Sequence, residues 1–345
     1  MSEFSPIKII SSGVTTPLGT DSNTCFARMH GAMPEIDTVE ITDDISVLTA
    51  SIADETLPPA PDTLTQSGMH PRYQRMLRIA QSAFADNANK IRITSATPVF
   101  LGLPQEDSAA AQEEQKVFIP WLNNLCGKVI DTTNSKYFPF GAASGFIALQ
   151  SAIEWLNQGA SDIAIVGAID SMQDPRIIQQ LLDDNRIMVS GNPDGNQGII
   201  PSEGAVFLTL CKQGPAAKPT IIDFSCATIE TEAEGEEGEN IQDKISEFIE
   251  PINSIDCEIK NTYPPLNGET RWISEWGYCM QTMHQKIDPE NNMVIPAYSC
   301  GDLGAAHALF SVAAAADSQE CGLTNSASFI YSASDTEHRA YAIIV

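Results

Sequence analysis

Positive charge is what this sequence has least of. Nineteen lysines and arginines face forty-five aspartates and glutamates, a formal net charge of −26 over 345 residues. A nucleic-acid binder needs a basic footprint to release counterions from phosphates, and none of that size is present. Anionic membrane surfaces and acidic protein partners are repelled by the same excess. Two readings of the charge stand: a surface adapted to solubility or salt, and a surface that meets a basic partner. Long apolar runs are also missing. None reaches the roughly 18 residues that a membrane span needs. Met1 to Ser12 lack the basic n-region and apolar h-region of a secretory signal, so none is expected. The eight cysteines stand singly at 25, 126, 211, 226, 257, 279, 300 and 321. With no CxxC pair, a zinc knuckle or a thioredoxin-type site is disfavoured, and scattered thiols suit a reducing cytoplasm, the expected location. His30, His70, His284 and His338 are not spaced for a metal site, and no cofactor is expected.

What is present is a folded chain. Hydrophobic residues make up 43% and charged residues 19%, enough to bury a sizeable core. Strand and helix signals alternate. Lys8–Ile10, Pro98–Leu103, Asp162–Ile169, Gly204–Cys211, Pro219–Ala227, Ile255–Ile259 and Met293–Pro296 read as strands, and Ser328–Ser332 with Ala340–Val345 as a closing hairpin. Helical spacing marks Ser22–Met29, Arg72–Lys90, Val117–Leu125, Phe146–Trp155, Ile241–Ile249, Thr270–Gln285 and an Ala-rich Leu303–Ala316. Residues 33–70 read as a loop-dominated excursion with a short strand near Ile45–Ile52. The alternation gives an α/β class. One set of elements, over 1–215, is followed by a comparable set over 216–345, which hints at duplication within one compact unit. Arg72, Arg75 and Arg78 with Lys90 and Arg92 concentrate basic charge, read as a solvated helix face more readily than a binding patch. Glu230–Glu239 hold six glutamates, read as a solvated loop or, less readily, a contact for a basic partner.

Several short motifs then fall in a telling order. Ser11-Ser12-Gly13-Val14-Thr15-Thr16-Pro17-Leu18-Gly19, Ala143-Ser144-Gly145, the strand from Asp162 to Ser171, Ser202-Glu203-Gly204-Ala205, Asn261-Thr262-Tyr263 and Gly304-Ala305-Ala306 together resemble the β-ketoacyl synthases of the thiolase superfamily. The resemblance implies a thiolase-like five-layer αβαβα sandwich built from two similar halves. It implies a dimer, homomeric or with a thiolase-fold homologue, formed along the strand before the nucleophile, here Ser135, Lys136, Tyr137, Phe138 and Phe140. It also implies a Cys–His–His site, in which a thiolate at a helix N-terminus is acylated and two imidazoles assist decarboxylation.

This sequence keeps none of the three. On the resemblance the cysteine position is Ala142, the first histidine Tyr263 and the second Gly301. No cysteine lies between Cys126 and Cys211, and no histidine between His70 and His284, so a small shift restores neither. Residual pocket candidates are Ser144, Cys300 and His307. Ser144 is near a helix start but has no evident base and reads as a packing residue; Cys300 reads as a buried inert thiol. His307 lies six residues past Gly301 on a different helix face and reads as a satisfied core histidine. Trp272, Trp276 and Tyr278 share a helix and read as core or interface.

The expected function is therefore a pseudoenzyme that binds, scaffolds or adapts a partner protein. Degenerate thiolase-like proteins occur in bacterial secretion and effector gene clusters. The competing readings are a chain-length-factor-like subunit of a ketosynthase heterodimer and an acyltransferase-type enzyme with a remodelled site. An adaptor predicts a filled pocket, a chain-length factor an open acyl tunnel, and a new enzyme a titratable group with a displaced pKa.

Overall fold

The computed structural model describes residues 5–345 apart from 43–44, 92, 94–95, 192–196 and 230–240. The first half opens with β1 (Ile7–Thr15) and α1 (Ser22–His30), the latter capped by Asp21, whose carboxylate accepts the Thr24 N–H at 2.9 Å. A hairpin of β2 (Asp37–Thr42) and β3 (Ile45–Thr49) and the short α2 (Asp62–Thr65) lie in the excursion. Then come α3 (Pro71–Lys90), β4 (Val99–Gly102), α4 (Ala109–Leu125), β5 (Lys136–Phe138), α5 (Ser144–Asn157), β6 (Ile163–Ser171), α6 (Pro175–Asp183) and β7 (Glu203–Cys211). The second half runs β8 (Thr220–Thr228), α7 (Ile241–Ile249), β9 (Ile259–Tyr263), α8 (Thr270–Thr282), β10 (Ile287–Met293), α9 (Ala297–Cys300), α10 (His307–Glu320), β11 (Ala327–Ala333) and β12 (His338–Ile344).

The strand order shows the internal repeat. In the first arm the order is β1-β7-β6-β4-β5, with β4 parallel to β5 and β6, and β7 antiparallel to β6 and β1. In the second it is β8-β12-β11-β9-β10, with the same parallel and antiparallel pattern. The arms join where Ile7 and Lys8 of β1 pair with Ile221 and Thr220 of β8.

Three buried clusters make the layers. The central one gathers Phe146, Leu149 and Ile153 of α5 and Leu309, Phe310 and Val312 of α10, with Val166 and Leu208 from one arm and Ile330 and Ala342 from the other. A second places Met76, Ile79 and Phe84 of α3 and Phe118 of α4 on the outer face of the first arm, against Ile165 and Phe207. A third places Ile245 and Ile249 of α7 and Trp272, Trp276 and Cys279 of α8 against Phe329, Tyr331 and Ile343. Successive residues of β6 feed alternate clusters, because side chains alternate across a strand. The result is the expected α–β–α–β–α sandwich.

Where the elements differ from the sequence reading, local chemistry explains it. Helix α4 starts at Ala109, well before Val117, because Ser108 caps it by accepting the Ala111 N–H and the polar first turns carry no apolar signal. The strand read at Met293–Pro296 is β10, which ends at Met293; Pro296 instead opens α9. Helix α10 begins at His307, after a 3-10 turn at Gly304–Ala306. Helix α6 was not expected; Asp174 and Pro175 cap and start it.

Candidate functional site

In open α/β sheets ligands collect at the carboxyl ends of parallel strands, where helices begin. Here β6 ends beside α10, and β11 ends beside α5. Each of these helices is entered through a 3-10 turn, Gly141–Ala143 or Gly304–Ala306, whose leading glycine has a positive φ of 68° or 53°. The arms are stitched at these turns. The Asp170 carboxylate of β6 accepts the Ala305 N–H at 3.0 Å, and the Ser332 hydroxyl of β11 donates to the Ala142 carbonyl at 3.2 Å.

A cavity of about 830 Å³ opens between the arms at this point, lined by the loop after β4, the start of α5's turn, α6, the loop after β9 and the starts of α8 and α10. Eight carboxylates and three arginines face it. Arg72 pairs with Asp170 at 2.9 Å and with Glu106. Arg186 pairs with Glu269 and Asp335, each at 2.8 Å. Burial pushes the Asp170 carboxyl up, and Arg72 pulls against that shift. Among the described residues Asp302 meets neutral donors, the Asn267 amide at 2.7 Å and the Gly304 N–H at 2.9 Å. His307 is 8% exposed and lines the cavity, and both ring nitrogens are buried without a hydrogen-bond partner among the described residues. Burial holds its pKa below the usual histidine range, against the pull of Asp302. An orphaned buried polar group costs about 1–3 kcal/mol, so this histidine is not the satisfied core residue expected from its Ala-rich helix.

The other expected positions scatter. Ala142 lines the cavity. Tyr263 is buried in the central cluster, outside the lining, and burial pushes its hydroxyl up to about 12. Gly301 has φ 70°, and a Cβ there would sit 2.7 Å from the Ile200 carbonyl oxygen and 2.9 Å from the Ser202 Cβ. No L-side chain fits that backbone without displacing it. The Ser144 hydroxyl is fully buried and unpartnered, lies outside the lining, and packs 2.8 Å from where a Cβ on Gly102 would stand. No base touches it. The Cys300 thiol is fully buried against the Pro296 carbonyl at 3.4 Å, and burial pushes its pKa up, which makes it a poor nucleophile.

Of three further readings, the structure corrects one. Arg72, Arg75 and Arg78 form neither a solvated face nor a patch; all three are ion-paired, Arg75 with the fully buried Glu203 at 2.6 Å and Arg78 with Asp54 at 2.6 Å. Arg92 and Glu230–Glu239 lie outside the described residues. The segment Ser135–Phe140 contains β5, the terminal strand of the first arm. There Ser135 accepts the Val99 N–H at 2.8 Å, Lys136 is exposed, Tyr137 and Phe138 are half-buried, and the Phe140 ring lies 4.7 Å from that of His338. The sequence reading missed Asp302, Glu106 and Arg186 as lining groups. It also missed a short repeat, Gly141-Ala142-Ala143 before Ser144 and Gly304-Ala305-Ala306 before His307, that marks both helix starts.

Comparison with known proteins agrees with this architecture. Residues 141–216 match the family model of the beta-ketoacyl synthase N-terminal domain. No curated protein matches the chain. Among solved structures, the ketosynthase from module 1 of the bacillaene synthase of Bacillus amyloliquefaciens FZB42 superposes with a TM-score of 0.75 at 13% identity, over 99% of this chain and 73% of that one. The ketosynthase from module 6 of the bacillaene synthase of Bacillus subtilis 168 gives 0.73 at 14% identity, over 98% and 71%. The ishigamide ketosynthase/chain length factor gives 0.66 at 15% identity, over 98% of both chains.

Proposed function

We propose that this chain, which belongs with the β-ketoacyl synthases through residues 141–216 and has their fold along its length, is a non-catalytic member that works by binding a partner. The observation that carries this reading is Gly301. Condensation by the usual route needs a thiolate and two imidazoles converging on one thioester. At the position read as the second histidine, the backbone has φ 70° and a Cβ would meet a carbonyl oxygen at 2.7 Å. The methyl group of Ala142 supplies no nucleophile, and the Tyr263 phenol is turned into the core. Backbone and side chains thus depart from the catalytic arrangement together. The cavity is open where an adaptor predicts a filled pocket, yet its charged lining is unsuited to an acyl chain, because an unpaired charge beside hydrocarbon is costly. Binding therefore extends to the cavity as well as to a partner's surface.

The test is the Ala142→Cys variant with malonyl and acyl thioesters. Neither decarboxylation nor condensation is expected, since no imidazole stands at 263 or 301; turnover by this variant overturns the reading. A second reading, a chain-length-factor-like subunit, is favoured by β5, a terminal strand whose outer side is unpaired among the described residues, and by the likeness to a ketosynthase/chain length factor. Native mass analysis of the tagged protein from its own host separates the two. A cysteine-bearing homologue at one-to-one stoichiometry selects the subunit reading, and a homodimer or an unrelated partner selects the binder.

A further inference from the structure

We infer that the outer edge of the β2–β3 hairpin is a docking site for a basic, extended segment of a partner protein, which adds to β2 as a further strand. The inference rests on the reading of the chain as a binder and names the chemistry of its partner.

The hairpin is anchored on one side and open on the other. Val47 of β3 is fully buried with Ile178 and Leu181 of α6 and with Ile187 and Ile199. The far edge of β3 is taken: the Leu48 N–H donates to the Met188 carbonyl, and the Ser190 N–H donates to the Ser46 carbonyl. Backbone polar groups alternate sides along an antiparallel strand. Val47 and Thr49 therefore bond to β2, through the residues opposite them, Val39 and Asp37. The N–H and C=O groups of Thr38 and Glu40 then point outward, where no strand meets them among the described residues. All six residues of β2 are exposed. The ends of the large sheet are better guarded against pairing. β10 carries Pro289 and a break in register between Ile287 and Asn292, and β5 spans three residues. β2 has no proline and pairs regularly from Asp37 to Glu40.

The side chains set what fits this edge. Val39 shares the face of buried Val47 yet is 42% exposed, and Ile41 and Ile45 add exposed apolar surface. Thr38 and Glu40 lie on the opposite face. Residues 33–70 contain eight carboxylates and no lysine or arginine. Glu35 is paired with Arg28, and Asp54 with Arg75 and Arg78. Asp37 and Glu40 have no cation partner among the described residues. A second copy at this edge would bring carboxylates toward carboxylates, on chains that each carry −26. A strand that alternates lysine or arginine with an aliphatic residue satisfies all three features. Its backbone pairs with Thr38 and Glu40, a cation lies across from Glu40, and an aliphatic side chain lies beside Val39.

Fluorescence anisotropy of a labelled Lys-Val-Lys-Val-Lys-Val-Lys peptide, titrated with the full chain, tests this. Two companion peptides serve as controls. One has glutamate in place of lysine. The other is N-methylated at its lysine amides, which keeps every charge and removes the donors that would face β2. Saturable binding of the first peptide is expected, with both companions weaker by about tenfold or more. Glu40→Lys should weaken the first peptide about tenfold. Thr38→Pro removes an outward N–H at a place where an edge strand tolerates proline, and should weaken it about as much. Glu247→Gln, an exposed change on α7 in the other arm, should leave binding unchanged. Thermal melts establish that each variant is folded. Equal binding of the N-methylated peptide, equal weakening by Glu247→Gln, or unaltered binding by folded Glu40→Lys or Thr38→Pro protein overturns the inference. So does self-association that Thr38→Pro abolishes, which would give the edge to a second copy. A thioester assay run alongside keeps the failures apart: condensation sinks the binder reading whatever the peptide does, and absent peptide binding without condensation sinks the inference alone.

Discussion

The two halves of the molecule begin their central helices on the same three residues and then diverge. Gly-Ala-Ala leads into Ser144 in one arm and into His307 in the other, each through a 3-10 turn opened by a positive-φ glycine. The first helix start is sealed: its serine lies fully buried beneath Gly102. The second borders the cavity: its histidine is among the lining residues, although both ring nitrogens are themselves buried. Each turn is held by the other arm, but the stitches are unequal. Asp170 brings a buried carboxylate that is itself paired with Arg72, and Ser332 brings one hydroxyl. The repeated backbone pattern therefore keeps where a helix begins, and single side chains decide whether that start is wholly packed or borders the cavity.

The largest expected effect comes from cutting the stronger stitch. Asp170→Ala leaves Arg72, 10% exposed, with Glu106 as its one carboxylate partner among the described residues, and it orphans the Ala305 N–H. Breaking a buried pair in this way costs about 3–5 kcal/mol. Ser332→Ala, the matching cut on the other side, removes one hydrogen bond worth about 1 kcal/mol. Urea unfolding of both variants measures the inequality, and equal losses would show that the arms are held alike. Gly301→Ala ranks between them. A side chain at φ 70° against the Ile200 carbonyl costs about 2 kcal/mol or more. A harmless Gly301→Ala would mean that the backbone can admit a histidine after all, and would weaken the case against condensation.

The sequence showed the fold far better than the site. Periodicity located α3, β6 and β7 nearly to their ends because their burial is continuous or cleanly amphipathic. Ordered short motifs supplied the layers. The site was half legible. Ala142 and His307 were both singled out, but only the folded chain shows that they line one cavity while Tyr263, Gly301, Ser144 and Cys300 do not. Helix geometry was the wrong ground for separating His307 from Gly301, because Gly301 caps the end of α9 and α10 begins only at His307. The arginines of α3 were misread because their partners Asp54, Asp170 and Glu203 lie about 20 to 130 residues away in sequence. Periodicity carries no signal for pairs of that kind. The Gly-Ala-Ala repeat was legible but too short to stand out without the structure.

The smallest effect sharpens the comparison most. Ser144 and His307 are both buried without hydrogen-bond partners, yet only His307 titrates near neutrality. Ser144→Ala should raise stability by up to about 1 kcal/mol, equally at every pH, because it removes an orphaned hydroxyl. His307→Leu should depend on pH. The folded protein holds the ring's pKa below 6.5, so as pH falls the unfolded chain takes up the proton first. Stability from this group is whole above the unfolded value, declines as pH falls through 6.5 toward the folded value, and levels off below it. One such proton gives a slope no steeper than about 1.4 kcal/mol per pH unit. Ligand-free urea unfolding at pH 7 and pH 5 should therefore show the parent losing stability relative to His307→Leu, while the Ser144→Ala difference stays constant. Parallel behaviour of the two variants would mean that His307 is solvated in both states, and the contrast between the two helix starts would lose its physical basis.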